Sequence, residues 1–414
     1  MILWFALHFA LLYAEHHSTD AMSKVALTHN RALGVIAIIV ILAAVGVGAF
    51  SGNWSIYDVS HSTYLIQSSV GYGGVITPST HVTYQGSATF NIIPNTGFTI
   101  GSVIVDGVYV GKVSSYSFNH VVADHTISAA FQDQSGKLYS IMQITDTQYL
   151  SASDPALYTK TTNWIVNNTQ TFNLQMVIHT GDIVDACNDT TQWANANTAQ
   201  IVLYNNNVPY NWDAGNHDQM CTRNGAGNPN KPWIGINYPA FNATKMETKP
   251  YWVSDLFQGK NTATKFTYGG RNYLIINMEY DANSTVINWA TNLIQSCPNY
   301  SIIVATHEYI TPSGNYEERW ASALKTTLTS YPNVFLTMNG HYSASSNSTF
   351  QRMVGTREET MFNLQSIDRP KGAATVRIFT FNTTSSTVIV STYSVYSNIW
   401  LTTPYSYSFS TSTF

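Results

Sequence analysis

Five apolar segments of this chain each end at a residue that can bind a metal ion. The segments are KLYSIMQIT, LQMVIH, VPYNWDA, SIIVAT and NVFLTMN, and the residues that follow them are Asp146, Asp182, Asn216, His307 and His341. Short apolar runs bounded by turn residues are typical of buried strands. Since ligands of α/β sheets bind beyond the carboxyl ends of the strands, we expect these five side chains to meet at one edge.

Helical segments alternate with these strands. Asp154 and Pro155 suit the N-cap and the first position of a helix. The segment KFTYGGRNYLIINMEY predicts a hairpin that turns at Gly269 and Gly270. This alternation favours an α/β layered domain over residues 137–399.

Carboxylate, amide oxygen and imidazole together suit a divalent transition metal such as Mn, Fe or Zn. Any one such residue at a strand end is more often a cap or a satisfied polar group, but five in order are hard to obtain by accident. A carboxylate such as Asp182 can bridge two ions about 3.5–4 Å apart, and two ions can clamp the attacking and leaving oxygens of a phosphoryl displacement.

The order of these motifs resembles the calcineurin-like metallophosphoesterase superfamily, in a branch with Gln in the first motif. The matching segments are Asp146-Thr147-Gln148, Gly181-Asp182-Ile183-Val184-Asp185, Gly215-Asn216-His217-Asp218, His307, and Gly340-His341-Tyr342-Ser343. The resemblance implies two packed mixed sheets flanked by helices. It also implies hydrolysis of a phosphomonoester or a phosphodiester.

The same resemblance implies a role for each site residue. Asp182 would bridge both metal ions, and the other ligands would be Asn216, His307 and His341 at the second site and Asp146 and Gln148 at the first. His217 would protonate the leaving oxygen or stabilise the developing charge, and Asp185 would orient His217. The nucleophile would be a metal-bound hydroxide.

Two positions depart from the family pattern. Gln148 and Ser343 stand where the family usually has histidines that serve the first metal. We therefore expect a weak or exchangeable first site that prefers Mn or Mg over Zn, with one ion or two bound. The alternative is a catalytically degenerate surface protein with a binding or structural role on the same fold.

The N-terminal part predicts export. Residues 32–50 read ALGVIAIIVILAAVGVGAF, a run without a charge that nearly spans a bilayer core of about 30 Å. Lys24 and Arg31 precede it, which places residues 1–31 in the cytoplasm and residues 51–414 outside. We expect a single-pass anchor in the cell membrane, the alternative being secretion after cleavage of a signal peptide. Met22 is a second candidate for the initiator.

A small all-β module is expected over residues 63–133, after a linker at 51–62. In this stretch, apolar and polar residues alternate in short runs that are separated by turn residues. The run VIV-DG-VYV is a strong hairpin signal, because Asp-Gly fits a two-residue turn. The segments GGVITPS and HTISAAF resemble the Gly-rich β repeat of prokaryotic surface proteins, which implies a spacer or a site for a cell-surface partner. The Ser/Thr/Tyr-rich stretch at 400–414 fits either a tail or a last edge strand.

Charge and cysteine content exclude several classes of protein. Only 10% of the residues are charged and the net charge is −4, so the sequence lacks the basic surface that nucleic-acid binding needs. Three cysteines are too few for a disulfide-dense scaffold. The loops of Cys187 and Cys221 are expected to flank the metal centre, and outside the cell they favour a disulfide, the alternative being two free buried thiols.

Overall fold

The computed structural model describes residues 62–219, 233–318, 320–343 and 348–411. All of them belong to one compact unit, Val59–Phe414. Within these ranges, every helix is too short or too polar to cross a membrane. The expected anchor at 32–50 lies outside the described residues, as do the linker through residue 61, Met22 and Cys221.

The N-terminal part of the described chain is all β, as predicted. Its eight strands are β1 Thr63–Val70, β2 Gly74–Ile76, β3 Thr80–Thr83, β4 Ala88–Pro94, β5 Phe98–Val105, β6 Val108–Gly111, β7 Ser115–Phe118 and β8 His125–Asp133. They form a five-stranded sheet in the order β3-β1-β8-β5-β6 and a three-stranded sheet in the order β2-β4-β7. Val105 pairs with Val108 across the predicted Asp106-Gly107 turn, where both central residues have positive φ.

Two seven-stranded sheets form the larger domain. The first has the order β11-β10-β9-β19-β20-β21, with β22 also paired to β20. Its strands are β9 Leu138–Ile144, β10 Leu174–Thr180, β11 Tyr210–Asp213, β19 Thr375–Asn382, β20 Thr387–Ser394, β21 Ile399–Leu401 and β22 Tyr407–Ser410. The domain therefore extends past the expected boundary at 399, because Tyr407 and Phe409 alternate with serines and Phe409 is buried in the core.

The second sheet has the order β12-β13-β14-β15-β16-β18-β17. Its strands are β12 Trp252–Leu256, β13 Asn261–Tyr268, β14 Arg271–Met278, β15 Ser301–Thr306, β16 Val334–Asn339, β17 Thr349–Val354 and β18 Arg357–Phe362. The predicted hairpin through Gly269 and Gly270 is confirmed, because Tyr268 pairs with Arg271. A core of buried apolar side chains from both sheets, among them Ile141, Ile178, Ile275 and Phe335, fills the space between them.

Helices cover the outer faces of both sheets. They are α1 Gln148–Ser153, α2 Pro155–Asn167, α3 Thr190–Asn205, α4 Asn216–Gln219, α5 Ala243–Met246, α6 Ser284–Ser296 and α7 Ala321–Thr329, with short 3₁₀ turns at Ile234–Asn237, Pro239–Phe241 and Lys371–Ala373. The side chain of Asp154 accepts the N–H of Leu157, which confirms the predicted start of α2. The fold is therefore the expected mixed α/β arrangement of two sheets between helices.

Trp400 joins the β module to the larger domain. It is 7% exposed, its backbone N–H donates to Oγ of Ser69 at 3.0 Å, and its ring lies 5.0 Å from that of Tyr393. A Cβ at Gly71 would lie 2.9 Å from the Trp400 ring, so β1 ends against this indole with no room for a side chain. The two parts thus share a tightly packed contact.

Candidate metal centre and active site

The five strand-end residues meet at one edge of the fold. Each of the first two strands is followed by a residue in the left-handed region, with φ of 52° at Asp146 and 53° at Asp182, and the same holds for His341 at 66°. This conformation is costly for a residue with a Cβ and is concentrated at functional sites. A Cβ at Gly215 would collide with the backbone N of Asp182. The loops therefore approach one another as closely as their backbones allow.

Three of the four predicted second-site ligands cluster around one atom of the fourth, Nε2 of His307. Oδ1 of Asn216 lies 3.0 Å from it, Nδ1 of His341 3.1 Å, and Oδ1 of Asp182 3.3 Å. The ligand atoms of Asp182, His307 and His341 all lie within 4.8 Å of one another. His307 is fully buried and the other three are buried or half-buried.

The chemistry of this cluster fits a cation. Nδ1 of His307 lies 2.8 Å from the carbonyl oxygen of Thr180 and donates to it. In the neutral ring, Nε2 then presents a lone pair towards two oxygens and another ring nitrogen. These groups repel one another unless a proton or a metal ion stands between them. The residues therefore fit a divalent metal with oxygen and imidazole ligands.

The acidic surroundings of His307 are consistent with this reading. Burial opposes the charged ring, but Asp182, Asp146 and Asp213 raise the pKa of His307 well above its usual value. For Asp182, burial acts to raise the pKa, yet His307 and His217 hold it below the usual range. Positive charge is thus favoured at the centre of the cluster.

Of the two predicted first-site residues, Gln148 contacts the second carboxylate oxygen of Asp182 and Asp146 contacts the backbone of His341. Nε2 of Gln148 donates to Oδ2 of Asp182 at 3.1 Å, while its own Oε1 is buried without a hydrogen-bond partner. Oδ2 of Asp146 accepts from Thr145 and from the backbone of His341, and its Oδ1 is likewise buried and unpartnered. Burial raises the pKa of Asp146 to about 7. Buried and unpartnered oxygens of these two types suit a hard cation such as Mg²⁺ or Mn²⁺.

Ser343 is engaged away from these oxygens. Its Oγ accepts the backbone N–H of Ser366 at 2.7 Å, and its carbonyl oxygen accepts the hydroxyl of Ser366 at 3.2 Å. The hydroxyl is thus committed to a backbone contact rather than directed at Asp146 or Gln148. The expectation of a weak first site stays a prediction.

His217 lies between the second motif and the ligand cluster. Its backbone N–H donates to Oδ1 of Asp182 at 2.9 Å. Nδ1 of its ring lies 2.9 Å from the carbonyl oxygen of Asp185 and 3.2 Å from the carboxylate of the same residue. Burial opposes the charged ring, but Asp182 and the two oxygens of Asp185 raise the pKa of His217. With Nδ1 held in this way, Nε2 is left as the atom that can exchange a proton with a ligand.

Sequence reasoning missed the part played by Asp218. Its Oδ1 accepts the backbone N–H groups of Ile183 and Val184 at 2.8 and 3.0 Å, and its Oδ2 accepts that of Gly215 at 2.8 Å. Burial, together with the nearby charge of Asp182, raises the pKa of Asp218 to about 7. Asp218 therefore ties the second motif to the third. Its place as the last residue of Gly-Asn-His-Asp was the available signal.

Two further residues, Tyr280 and Glu308, lie next to the histidines of the site. The ring of Tyr280 lies 5.4 Å from that of His341 and 6.1 Å from that of His307. Oε1 of Glu308 accepts the hydroxyl of Tyr342 at 2.6 Å and lies 3.5 Å from Nε2 of His341. Both follow strand ends, of β14 and β15, and Glu308 comes directly after His307 in the sequence.

Cys187 forms a disulfide, and Cys297 is free. The predicted partner Cys221 lies outside the described residues.

Comparison with known proteins locates a family domain in this chain. The calcineurin-like phosphoesterase family matches residues 139–342. A curated relative, the protein YvnB of Bacillus subtilis (strain 168), is 28% identical over 212 residues, which are 51% of this chain. This chain spans 16% of the length of that relative. The matched residues contain Asp182, His307 and His341, whose ligand atoms could hold a divalent metal ion of the kind that this family uses.

Solved structures also resemble this chain. The purple acid phosphatase PPD1 from yellow lupin (Lupinus luteus) seeds aligns with a TM-score of 0.45 and 13% identity, over 84% of this chain and 74% of its own. GAP50, the anchor in the inner membrane complex of Plasmodium, aligns with a TM-score of 0.42 and 12% identity, over 66% of this chain and 88% of its own.

Proposed function

From the premise that residues 139–342 form a calcineurin-like phosphoesterase domain, we propose that this chain hydrolyses phosphate esters with one or two divalent metal ions. The observation that carries the proposal is the convergence of Asp182, Asn216 and His341 on Nε2 of His307, at 3.0 to 3.3 Å. Asp146 and Gln148 would serve a weaker first site through their unpartnered oxygens.

Bound metal ions would neutralise charge on the phosphate and make hydroxide available near neutral pH. The residues of the chain supply the rest. Asp182 fixes the second and third motifs together, because its Oδ1 accepts the backbone N–H of His217. The ring of His217, held through Nδ1 by Asp185, protonates the leaving oxygen from Nε2 or stabilises the charge that develops there. The raised pKa of His217 favours the protonated form that this role needs.

The second candidate is a binding or structural protein on the same fold. The observation that favours it is the engagement of Ser343 with Ser366, away from the first-site oxygens. The two functions differ in their need for His217, since a binding protein that holds metal has no use for a proton donor beside it. Retention of His217 with Asp185 supports the enzyme.

Turnover of phosphate esters in the presence of Mn²⁺ tests the proposal. The purified protein, loaded with Mn²⁺, is assayed with p-nitrophenyl phosphate and bis(p-nitrophenyl) phosphate. Release of nitrophenolate that is lost in EDTA and in the Asp182→Ala variant supports the enzyme. Asp368→Asn, on an exposed side chain, is the matched control. Metal binding without turnover of either ester supports the binding protein instead.

The enzyme is also proposed to act outside the cytoplasm, anchored in the membrane by residues 32–50 or secreted. The uncharged run at 32–50 and the disulfide at Cys187 support this, because disulfides persist in oxidising compartments. The β module would then hold the domain away from the membrane or bind a cell-surface partner. Fractionation of cells, with protease treatment of intact cells, tests the location: cleavage of the β module before lysis is expected, and protection until lysis would contradict it.

A further inference from the structure

Arg369 is fixed against Tyr149, the residue that follows the predicted first-site ligand Gln148. Its guanidinium carbon lies 4.7 Å from the centre of the Tyr149 ring, and Nη1 donates to the Tyr149 hydroxyl at 3.1 Å. Nη2 donates to Oγ of Ser366 at 3.2 Å. Three contacts thus hold an exposed arginine in one position, which reduces the entropy lost when it binds a ligand.

Both partners of Arg369 connect it to first-site positions. Tyr149 follows Gln148, whose side chain reaches Asp182. Ser366 is bonded twice to Ser343, the residue that stands in place of the second histidine of the last motif. The guanidinium is therefore one residue removed from each of the two positions at which this chain lacks the usual imidazoles, through Tyr149 next to Gln148 and through Ser366 bonded to Ser343.

The charge of Arg369 is not neutralised by a carboxylate of the described residues. The neighbouring Asp368 pairs with Lys371 at 4.0 Å, and Arg352 and Arg357 share the carboxylate of Glu359. The contacts of Arg369 are to a ring and two hydroxyl groups, which leave N–H groups of the guanidinium available. Such a planar cation matches the geometry of phosphate oxygens.

We propose that Arg369 binds a charged non-bridging oxygen of the substrate phosphate and makes the enzyme prefer phosphomonoesters to phosphodiesters. The proposal rests on the phosphoesterase function above. A monoester carries up to two negative charges near neutral pH, because its second pKa is about 6, whereas a diester carries one. The predicted first-site ligands Asp146 and Gln148 offer oxygens and no imidazole, so the arginine would add positive charge where a metal ion would be held weakly. A diester presents an ester oxygen in place of one charged oxygen and gains less from that charge.

The test compares kcat/KM for p-nitrophenyl phosphate and bis(p-nitrophenyl) phosphate in the Mn²⁺-loaded protein and its Arg369→Ala variant. We expect a fall of roughly 10- to 100-fold for the monoester, the effect of losing a hydrogen bond to a charged group, and under about 3-fold for the diester. Arg369→Lys keeps the positive charge but lacks the planar pair of N–H donors of a guanidinium. This variant should therefore lose less activity towards the monoester than Arg369→Ala does. Lys371→Ala, which removes a nearby surface cation, should change neither value. Unchanged metal content in all variants shows that the site is intact.

Equal falls for both esters, or no fall for either, would overturn the proposal while leaving the phosphoesterase function in place. A wild-type protein that turns over only the diester would also overturn it. If the wild-type protein hydrolyses neither ester, the proposed function fails, and calorimetric binding of inorganic phosphate to the Mn²⁺-loaded protein then decides the role of Arg369. A Kd raised about 10- to 100-fold in Arg369→Ala supports it. An equal Kd, or no binding to the wild-type protein, refutes it.

Discussion

The backbone N–H of His217 donates to Oδ1 of Asp182 at 2.9 Å. The residue proposed to transfer a proton is thereby tied to the carboxylate proposed to bind both metal ions. Because the donor is the backbone N–H, this hydrogen bond does not use the imidazole ring. The side chain of His217 can therefore be replaced without removing the bond. Proton transfer and metal binding can therefore be separated by mutation.

His217→Ala should lower kcat by roughly 10²- to 10⁴-fold, the contribution typical of a positioned acid, with metal content unchanged. The measurement is steady-state kinetics beside metal analysis of the same preparation. Loss of bound metal together with activity would contradict the assigned role. His125→Ala, in the β module, is the matched control and should leave kcat unchanged.

Asp185→Ala should lower kcat less than His217→Ala does. The carboxylate of Asp185 lies 3.2 Å from Nδ1 of His217, but the backbone carbonyl of the same residue accepts from that nitrogen at 2.9 Å and remains in the variant. We expect a fall of about 10-fold, equivalent to one modest hydrogen bond. A fall as large as that of His217→Ala would mean that the carboxylate alone orients the ring.

Asp218→Ala should destabilise the fold as well as the site. Three backbone N–H groups lose their acceptor in a buried position, and each unsatisfied donor costs about 1–3 kcal/mol. Urea denaturation should show a loss of at least about 2 kcal/mol in the free energy of unfolding. Asp218→Asn keeps one acceptor oxygen and should lose less. Equal stabilities of the two variants would contradict the bracing role.

Glu358 should make stability fall as the pH rises. Burial raises its pKa to about 7 in the folded protein, against about 4.3 in an unfolded chain, so the folded state favours the protonated form. Its contribution is full below the unfolded pKa and is lost as the pH rises through about 7. The change in the free energy of unfolding caused by Glu358→Gln should therefore be more favourable at pH 8 than at pH 5. We expect the difference between the two pH values to be about 1–3 kcal/mol. Glu318→Gln, on an exposed side chain, is the control, and the same pH dependence in both variants would contradict the account.

Trp400→Ala should loosen the β module from the larger domain. The buried indole contacts Gly71, Tyr393 and Trp164, so its removal leaves a cavity that costs about 3–5 kcal/mol. Calorimetry should show a lower Tm, with separate melting of the two parts as a further sign. Unchanged stability would mean that the contact contributes little to the fold.

Much of the fold follows from local patterns. The Asp154-Pro155 helix start, the hairpins at Asp106-Gly107 and Gly269-Gly270, and the convergence of strand ends on His307 are consequences of residue chemistry at known spacings. The spacing of residues along the sequence, however, does not reveal side-chain contacts between distant segments. The bracing by Asp218, the contact of Tyr280 with His341 and the stacking of Arg369 on Tyr149 depend on such contacts. The sequence did not decide whether residues 400–414 form a strand, for a related reason. A segment that alternates aromatic and hydroxyl residues forms a strand only where another strand offers an edge, and here β20 pairs with Tyr407–Ser410.

Metal stoichiometry shows whether Asp182 holds the proposed metal centre. The purified full chain is loaded with Mn²⁺, desalted and analysed for bound metal, with Asp182→Ala measured in parallel. We predict at least one ion per chain in the wild-type protein, with any second ion lost more readily. We predict none in the variant, because one carboxylate oxygen of Asp182 contacts Gln148 and the other lies 3.3 Å from His307. Absence of bound metal in the wild-type protein, or equal metal in the Asp182→Ala variant, would contradict it.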